Sequence, residues 1–483
     1  MVNDTLFSRS YLCHLFTTSA FARLLAALED RLTAWWSGVG PRLLALWQGS
    51  AAGRLMAWLF SACARLWAGC GLAAFFYREG WFARRWRESG LCALVSWVAN
   101  IPAALLHLLY RAKPALWEES AFAQLGYAMG DAVPFWAGLG LFAILCVPYE
   151  LWDNACSLLL ALALLLLFYA AGMRRREARL DAAAMGPYAF LYWGAVLVSV
   201  VFSNYRSLSL RFLLYHIPCF LLVFVIVSAV RSSRQLVQMA LGLGGGVLVS
   251  SLYAFYQRLV LHITVNPSYV DMSINAGMPG RVYSFFENPN SYAELLLLLL
   301  PLLVALFFIF RRLSAKIAAL LVFGIGAAAI VMTYSRASWV GLVVAALVYI
   351  FLWDRRFLPL CLVVGLCAVP LLPSTVLNRI LTITNTSDSS TSSRFPLYNA
   401  GARMIARQPL MGVGLGIDAV QARVTELNYY DAAIPFVHTH NTFLQVWLET
   451  GLLGLVSLLG HVLWTVKSAA RAVRTSTDTA ARH

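Results

Sequence analysis

Five arginines stand out, four of them at or near the end of an apolar run. Arg206 and Arg211 occur in Asn-Tyr-Arg-Ser-Leu-Ser-Leu-Arg, Arg281 in Arg-Val-Tyr-Ser-Phe-Phe, Arg336 in Thr-Tyr-Ser-Arg-Ala-Ser-Trp, and Arg394 in Ser-Ser-Arg-Phe-Pro. From residue 131 onward, no lysine shares the connections that hold them. A topological or solubilising role accepts either cation, whereas a planar five-donor fork that stays protonated is what clamps phosphate oxygens. The set points to a phosphate or pyrophosphate ligand. Taken singly, each arginine also fits a side chain snorkelling to lipid headgroups. Arg336 fits that reading least, because its connection is short and flanked by the interface anchors Tyr334 and Trp339.

The second feature is His438-Thr439-His440-Asn441-Thr442-Phe443, which opens the last apolar run and is followed by Glu449-Thr450-Gly451-Leu452-Leu453-Gly454. Imidazole is the side chain best able to take a proton near neutral pH, and a helix N-terminus favours the neutral form that a general base needs. On these residues alone, a base and a plain helix cap stand level. Two histidines spaced by two suit a metal, but no third ligand with suitable spacing stands nearby, so neither metal nor other cofactor is expected. Gly412-Val-Gly414-Leu-Gly416 imitates a dinucleotide fingerprint without any strand before it, and reads as a loop hinge. His216 and His461 read as satisfied packing residues, and Arg258, Arg379, Arg403, Arg407 and Arg423 as solvated loop residues.

These residues need a frame, and composition supplies it. Of 483 residues 60% are hydrophobic and only 12% charged, which excludes an ordinary soluble fold. The apolar stretches run unbroken, as Leu295 to Phe310 does, and only an internally hydrogen-bonded helix carries such a run through lipid. The expected fold is all-α: a polytopic integral membrane protein of about twelve transmembrane helices. Ten of these come from residue 131 on, at 131–149, 154–171, 187–203, 212–230, 235–256, 291–310, 317–332, 339–353, 357–373 and 441–466. The net charge of +15 marks topology rather than nucleic acid, because Arg174–Arg176, Arg231, Arg311–Arg312, Arg355–Arg356 and the tail from Lys467 fall on alternate connections. That face is expected to be cytoplasmic, with the five arginines and the histidines on the other. The nine cysteines include no CxxC pair and suggest no disulfide framework or zinc site.

The expected organisation is 1–130 as amino-terminal membrane-associated helices with up to two spans, uncleaved, and 131–373 as a transmembrane core. A large loop follows at 374–440, then the last span at 441–466 and a tail at 467–483. The loop should hold a mobile Ser/Thr-rich stretch from Thr382 to Ser393 and one helix, Pro396 to Arg407, capped by Ser392 or Ser393.

Several motifs together resemble the bacterial O-antigen ligases, within the larger family that includes O-antigen polymerases and protein O-oligosaccharyltransferases. His440-Asn441, nine residues and then Gly451-Leu-Leu-Gly454 follow the ligase pattern His-Asn-x9-Gly-x-x-Gly. Arg281-Val-Tyr-Ser-Phe-Phe-Glu-Asn-Pro-Asn290, Thr333 to Trp339, Ser393-Arg394 and Gln408 to Gly416 match in family order, so the likeness covers residues 200–466. It implies a twelve-span inner-membrane protein with a large periplasmic loop and a cytoplasmic C-terminus. It also implies metal-independent, inverting transfer of O-antigen from undecaprenyl pyrophosphate to the lipid A-core oligosaccharide. His440 would be the base, and Arg281 and Arg336 catalytic. The diphosphate would be held by Arg211, Arg281, Arg336 and Arg394, with Arg206, Tyr283, Asn288, Asn290, His438 and Asn441 nearby. The expected partners are the lipid-linked donor, the lipid A-core acceptor and membrane lipids, with no nucleic acid and no obligate protein. The alternatives are an O-antigen polymerase, a protein O-oligosaccharyltransferase, and, in another class, a transporter or flippase of a lipid-linked sugar.

Overall fold

The computed structural model describes residues 20–266, 278–354, 357–381, 394–430 and 436–475, and among them every regular element is a helix. The amino-terminal part runs through α1 (Ala20–Gly49), α2 (Ala51–Gly69), α3 (Gly71–Tyr77), α4 (Trp81–Arg87), α5 (Gly90–Ala99), α6 (Ile101–Ala112), α7 (Pro114–Glu119) and α8 (Ala121–Asp131). Its breaks follow capping chemistry: Ser50, Ser89 and Ser120 each accept a hydrogen bond from the amide three residues on, starting α2, α5 and α8. The apolar run at 131–149 is not one straight span. Pro134 lies in the first turn of α9 (Val133–Cys146) and cannot continue the preceding helix, so α8 and α9 meet at a 68° bend.

Next come α10 (Asn154–Arg174), the short α11 (Ala182–Met185), α12 (Pro187–Phe202), α13 (Arg206–Ala229), α14 (Ser233–Leu259), α15 (Pro289–Ile309), α16 (Leu313–Met332), α17 (Arg336–Asp354) and α18 (Leu358–Ala368). The loop region contributes α19 (Ser374–Leu381), α20 (Arg394–Arg407) and α21 (Gly416–Leu427), and α22 (Thr442–Thr475) closes the chain. The expectation of about twelve spans meets, among the described residues, six straight helices long and apolar enough to cross a membrane. Three bent pairs pass the same test together, and α12 and most of α17 are shorter apolar helices. The six bury only 22–39% of their apolar windows within the protein. Most of that surface therefore faces outward, as lipid requires and water does not.

Two packed cores organise the bundle. One gathers Val133, Leu164, Phe168, Val225 and Met239, and the other gathers Val247, Tyr292, Leu296, Leu300 and Ile330. They join where α9 meets α14, because a Cβ at Gly242 would stand 2.4 Å from the Gly138 carbonyl oxygen. Small residues allow this approach, which in lipid supplies the packing that holds helices together. Tyr334 and Trp339 belong to the second core, with ring centroids 5.9 Å apart. They are buried rather than anchored at an interface. At one end of the bundle Arg175 pairs with Asp131 at 2.9 Å and, with Arg231 and Gln235, lines a cavity of about 170 Å³. The segments carrying Arg281 and Arg336 lie at the opposite end of α14 and α16.

The loop region is more structured than its sequence implied. α20, α21 and the start of α22 share a core of Leu397, Met404, Val413, Val420, Val424, Phe436 and Leu448. Residues 382–393, with the expected caps Ser392 and Ser393, and Arg355–Arg356 lie outside the described residues. Arg379, expected in solvent, is only 6% exposed on α19. His216 keeps a partner, the Phe212 carbonyl oxygen at 3.1 Å. His461 does not conform: its buried Nδ1 has no hydrogen-bond partner, and the ring packs on Trp464 at 5.8 Å.

Candidate active site

The last helix starts where an asparagine can cap it. The Asn441 side-chain oxygen accepts from the amides of Phe443 at 3.1 Å and Leu444 at 3.2 Å, satisfying donors that a helix start leaves bare. His440 precedes the cap with φ of 51°, a left-handed conformation uncommon outside glycine. Between the two histidines, Thr439 is fully buried and its amide donates to Gln445 Oε1 at 2.8 Å. Gln445 Nε2 donates in turn to Glu449 Oε1 at 2.6 Å. The peptide is thus fixed from behind, and the imidazoles of His438 and His440 stand with ring centroids 4.0 Å apart.

Their surroundings keep both rings neutral. Burial pushes the His440 imidazole down to about 4, with the charges of His438 and Arg394 adding to the shift. Burial also lowers His438, and the Glu294 carboxylate opposes that fall. Arg394 opens α20, so the loop region delivers it to the histidine pair.

Glu294 connects this pair to Arg281. It lies one turn beyond Asn290 on α15, a helix that Asn288 caps by accepting from the Asn290 amide at 2.8 Å. The Asn290 side-chain oxygen accepts from Arg281 Nη2 at 2.5 Å, and the Thr333 carbonyl oxygen accepts from Arg281 Nε at 2.6 Å. Arg281 is 6% exposed and is therefore no snorkelling side chain. It bridges the start of α15 and the end of α16, and half-buried Arg336 follows Thr333 by three residues. Ser284 and Tyr334 also take positive φ, 54° and 52°. Three non-glycine residues with left-handed backbone thus lie in the segments carrying Arg281, Arg336 and His440, and such strain collects where a fold must aim side chains.

The structure gathers Arg281, Asn290, Arg394, His438 and His440 through these links, with Arg336 close by in sequence to Thr333. It does not tie the others to them. Arg206 and Arg211 are exposed on the first turns of α13 and form no hydrogen bond or ion pair among the described residues. The Tyr283 amide donates to Gln257 Oε1 at 3.2 Å. Asn288 and Asn441 act as helix caps. Sequence reasoning missed Gln445 and Glu449, although Asn441, Gln445 and Glu449 repeat every four residues as one polar stripe on an apolar helix, a visible signal.

The glycine-rich segment read as a hinge is a packed clasp. At Gly451 the backbone takes φ 70° and ψ −173°, breaking α22. The Leu452 amide donates to the Pro409 carbonyl oxygen and the Val413 amide to that of Leu448, both at 2.9 Å. Trp447 Nε1 adds a bond to Pro409 at 2.9 Å. Further on, Ser203 Oγ donates to the Val413 carbonyl oxygen at 3.2 Å, and the Leu415 amide donates to Ser209 Oγ at 3.1 Å. The clasp fastens the start of α13 to the helix that bears the histidines.

Among the described residues no three of His, Cys, Asp and Glu gather as metal ligands. No curated protein matches the chain. Residues 321–459 match the family model described as O-Antigen ligase, and this stretch, similar to that family, holds Arg336, Arg394, His438 and His440 but neither Arg211 nor Arg281.

Proposed function

We propose that the protein transfers O-antigen glycan from undecaprenyl pyrophosphate to the lipid A-core oligosaccharide, at the periplasmic face of the inner membrane. One observation carries the reading. An imidazole held neutral at about 4 sits beside Arg394, and the same helix start that faces its neighbour His438 also holds buried Arg281. A sugar pyrophosphate already has a good leaving group, so the reaction needs charge stabilisation and one proton acceptor.

In this reading His440 takes the proton of the acceptor hydroxyl as that oxygen attacks the anomeric carbon of the donor. The bond from that carbon to the diphosphate oxygen breaks, and one displacement inverts the centre. Arg281, Arg336 and Arg394, with Arg211 from the clasped α13, stabilise the departing diphosphate, and no metal is required. A bound diphosphate offsets the Arg394 charge at His440 and so raises the imidazole towards the operating pH, where a general base works best. The His-Asn-x9-Gly-x-x-Gly spacing favours a ligase over its polymerising and protein-modifying siblings. Charged residues of α10 and α13–α16 sit within two turns of a helix end, whereas a transporter needs them at mid-membrane.

Purified protein in proteoliposomes, given a lipid-linked glycan with rough lipopolysaccharide or with donor only, tests this. Product on lipopolysaccharide is expected, and lengthened donor would make the protein a polymerase. His440→Ala should fold and bind donor yet transfer nothing. Normal ligation by that variant removes the base.

A further inference from the structure

The outward stripe of α20 repeats every four residues as Phe395, Asn399, Arg403 and Arg407, while Leu397, Ala400 and Met404 bury the opposite side. Across from the stripe stand Tyr429 and Tyr430, and with Phe395, Pro396, Asn399 and Arg403 they line an open groove of about 320 Å³. That volume sits at the small end of ligand pockets, about 300–1,000 Å³, and suits a saccharide segment rather than a whole polymer. The guanidinium groups of Arg403 and Arg407 lie 5.9 and 5.4 Å from the Tyr429 ring centroid, and neither forms an ion pair among the described residues. Phe395 is 59% exposed. Aromatic faces, one amide and two unneutralised guanidinium groups on a rigid helix form a surface for a ring-shaped, anionic ligand.

We propose that this groove binds the acceptor saccharide through its phosphate or carboxylate groups, and so positions the attacking hydroxyl at His440. The assignment to the acceptor rests on the transferase reading above. The groove begins next to Arg394, whose charge acts on His440, and its helix packs on the histidine segment, where a Cβ at Gly401 would stand 3.0 Å from Thr439 Cγ2. The donor diphosphate belongs on the other side of the base, with Arg281 and Arg336. A groove on the helix that packs beside the proton acceptor serves the molecule that gives up the proton.

The test uses the full-length protein in detergent and a deacylated lipopolysaccharide core oligosaccharide, phosphorylated or phosphatase-treated, as a calorimetric probe. Wild type should bind the phosphorylated form. Arg403→Gln combined with Arg407→Gln should weaken binding at least tenfold, and phosphatase treatment should reduce wild type to the level of the variant. In the transfer assay the variant should raise KM for the acceptor about tenfold, with kcat and donor KM unchanged, the signature of lost uniform binding. Phe395→Ala should act in the same direction. Equal binding by wild type and variant overturns the groove, and a rise confined to donor KM overturns its assignment to the acceptor. If wild type transfers nothing, the binding arm still decides the groove while the transferase reading falls alone.

Discussion

Replacing Gly451 by alanine tests whether the clasp aims the histidines. Alanine at φ 70° and ψ −173° enters backbone territory essentially reserved for glycine, at a cost of about 1–3 kcal/mol. Its Cβ would also stand 2.0 Å from the Leu410 carbonyl oxygen and 2.8 Å from the Gly412 nitrogen. Both are backbone atoms that cannot swing aside, so residues 409–413 must lift from α22. The bonds from Leu452 to Pro409 and from Val413 to Leu448 are then lost, at about 0.5–1.5 kcal/mol each. The combined cost, about 2–6 kcal/mol, reaches the scale of a whole domain's net stability. Transfer should fall to a few per cent or less, and trypsin should cut after exposed Arg407 faster than in wild type. Gly324→Ala is the control, because a Cβ there meets nothing within 4 Å. Wild-type transfer and proteolysis in Gly451→Ala would refute the clasp as a positioning device.

Three other outcomes are expected. Arg281→Lys should lose most transfer activity and melt earlier, because one ammonium cannot span both Thr333 and Asn290; a near-normal rate and melting temperature would show that the bridge is dispensable. Neutral imidazole is the active form, so kcat/KM, which reports the free enzyme, should fall as pH drops through about 4 rather than near the ordinary 6.5. The corresponding limb of kcat should lie higher, because bound diphosphate raises the base, and coincident limbs would remove that coupling. A chelator should leave the purified enzyme's rate unchanged, while inhibition reversed by a divalent ion would restore a role for metal.

The helical frame was legible because lipid leaves the backbone few options. The run 154–171 became Asn154–Arg174, and 187–203 became Pro187–Phe202. Where proline intervened, apolar length misled. The run 357–373 contains Pro370 and ends at Pro373, and its α-helix stops at Ala368 before a short 3-10 turn. In the loop region, α20 was foreseen but α21 was not, since its buried face of Ala419, Val420 and Val424 follows a glycine cluster that resembled a break. Whether a guanidinium lies in solvent or in protein depends on elements distant in sequence, which is why Arg379 was misread. Arg281 showed its type in the sequence but not its two partners, which lie 9 and 52 residues away.

The clasp also dictates an order of assembly. Its two halves, residues 409–416 and 447–452, belong to a stretch that leaves the ribosome after every other long apolar segment has already been made. A nascent polypeptide halted before Gly451 can hold its arginines yet has nothing to lock the imidazoles in place. Premature termination should therefore release protein without positioned imidazoles, inert in the proposed transfer.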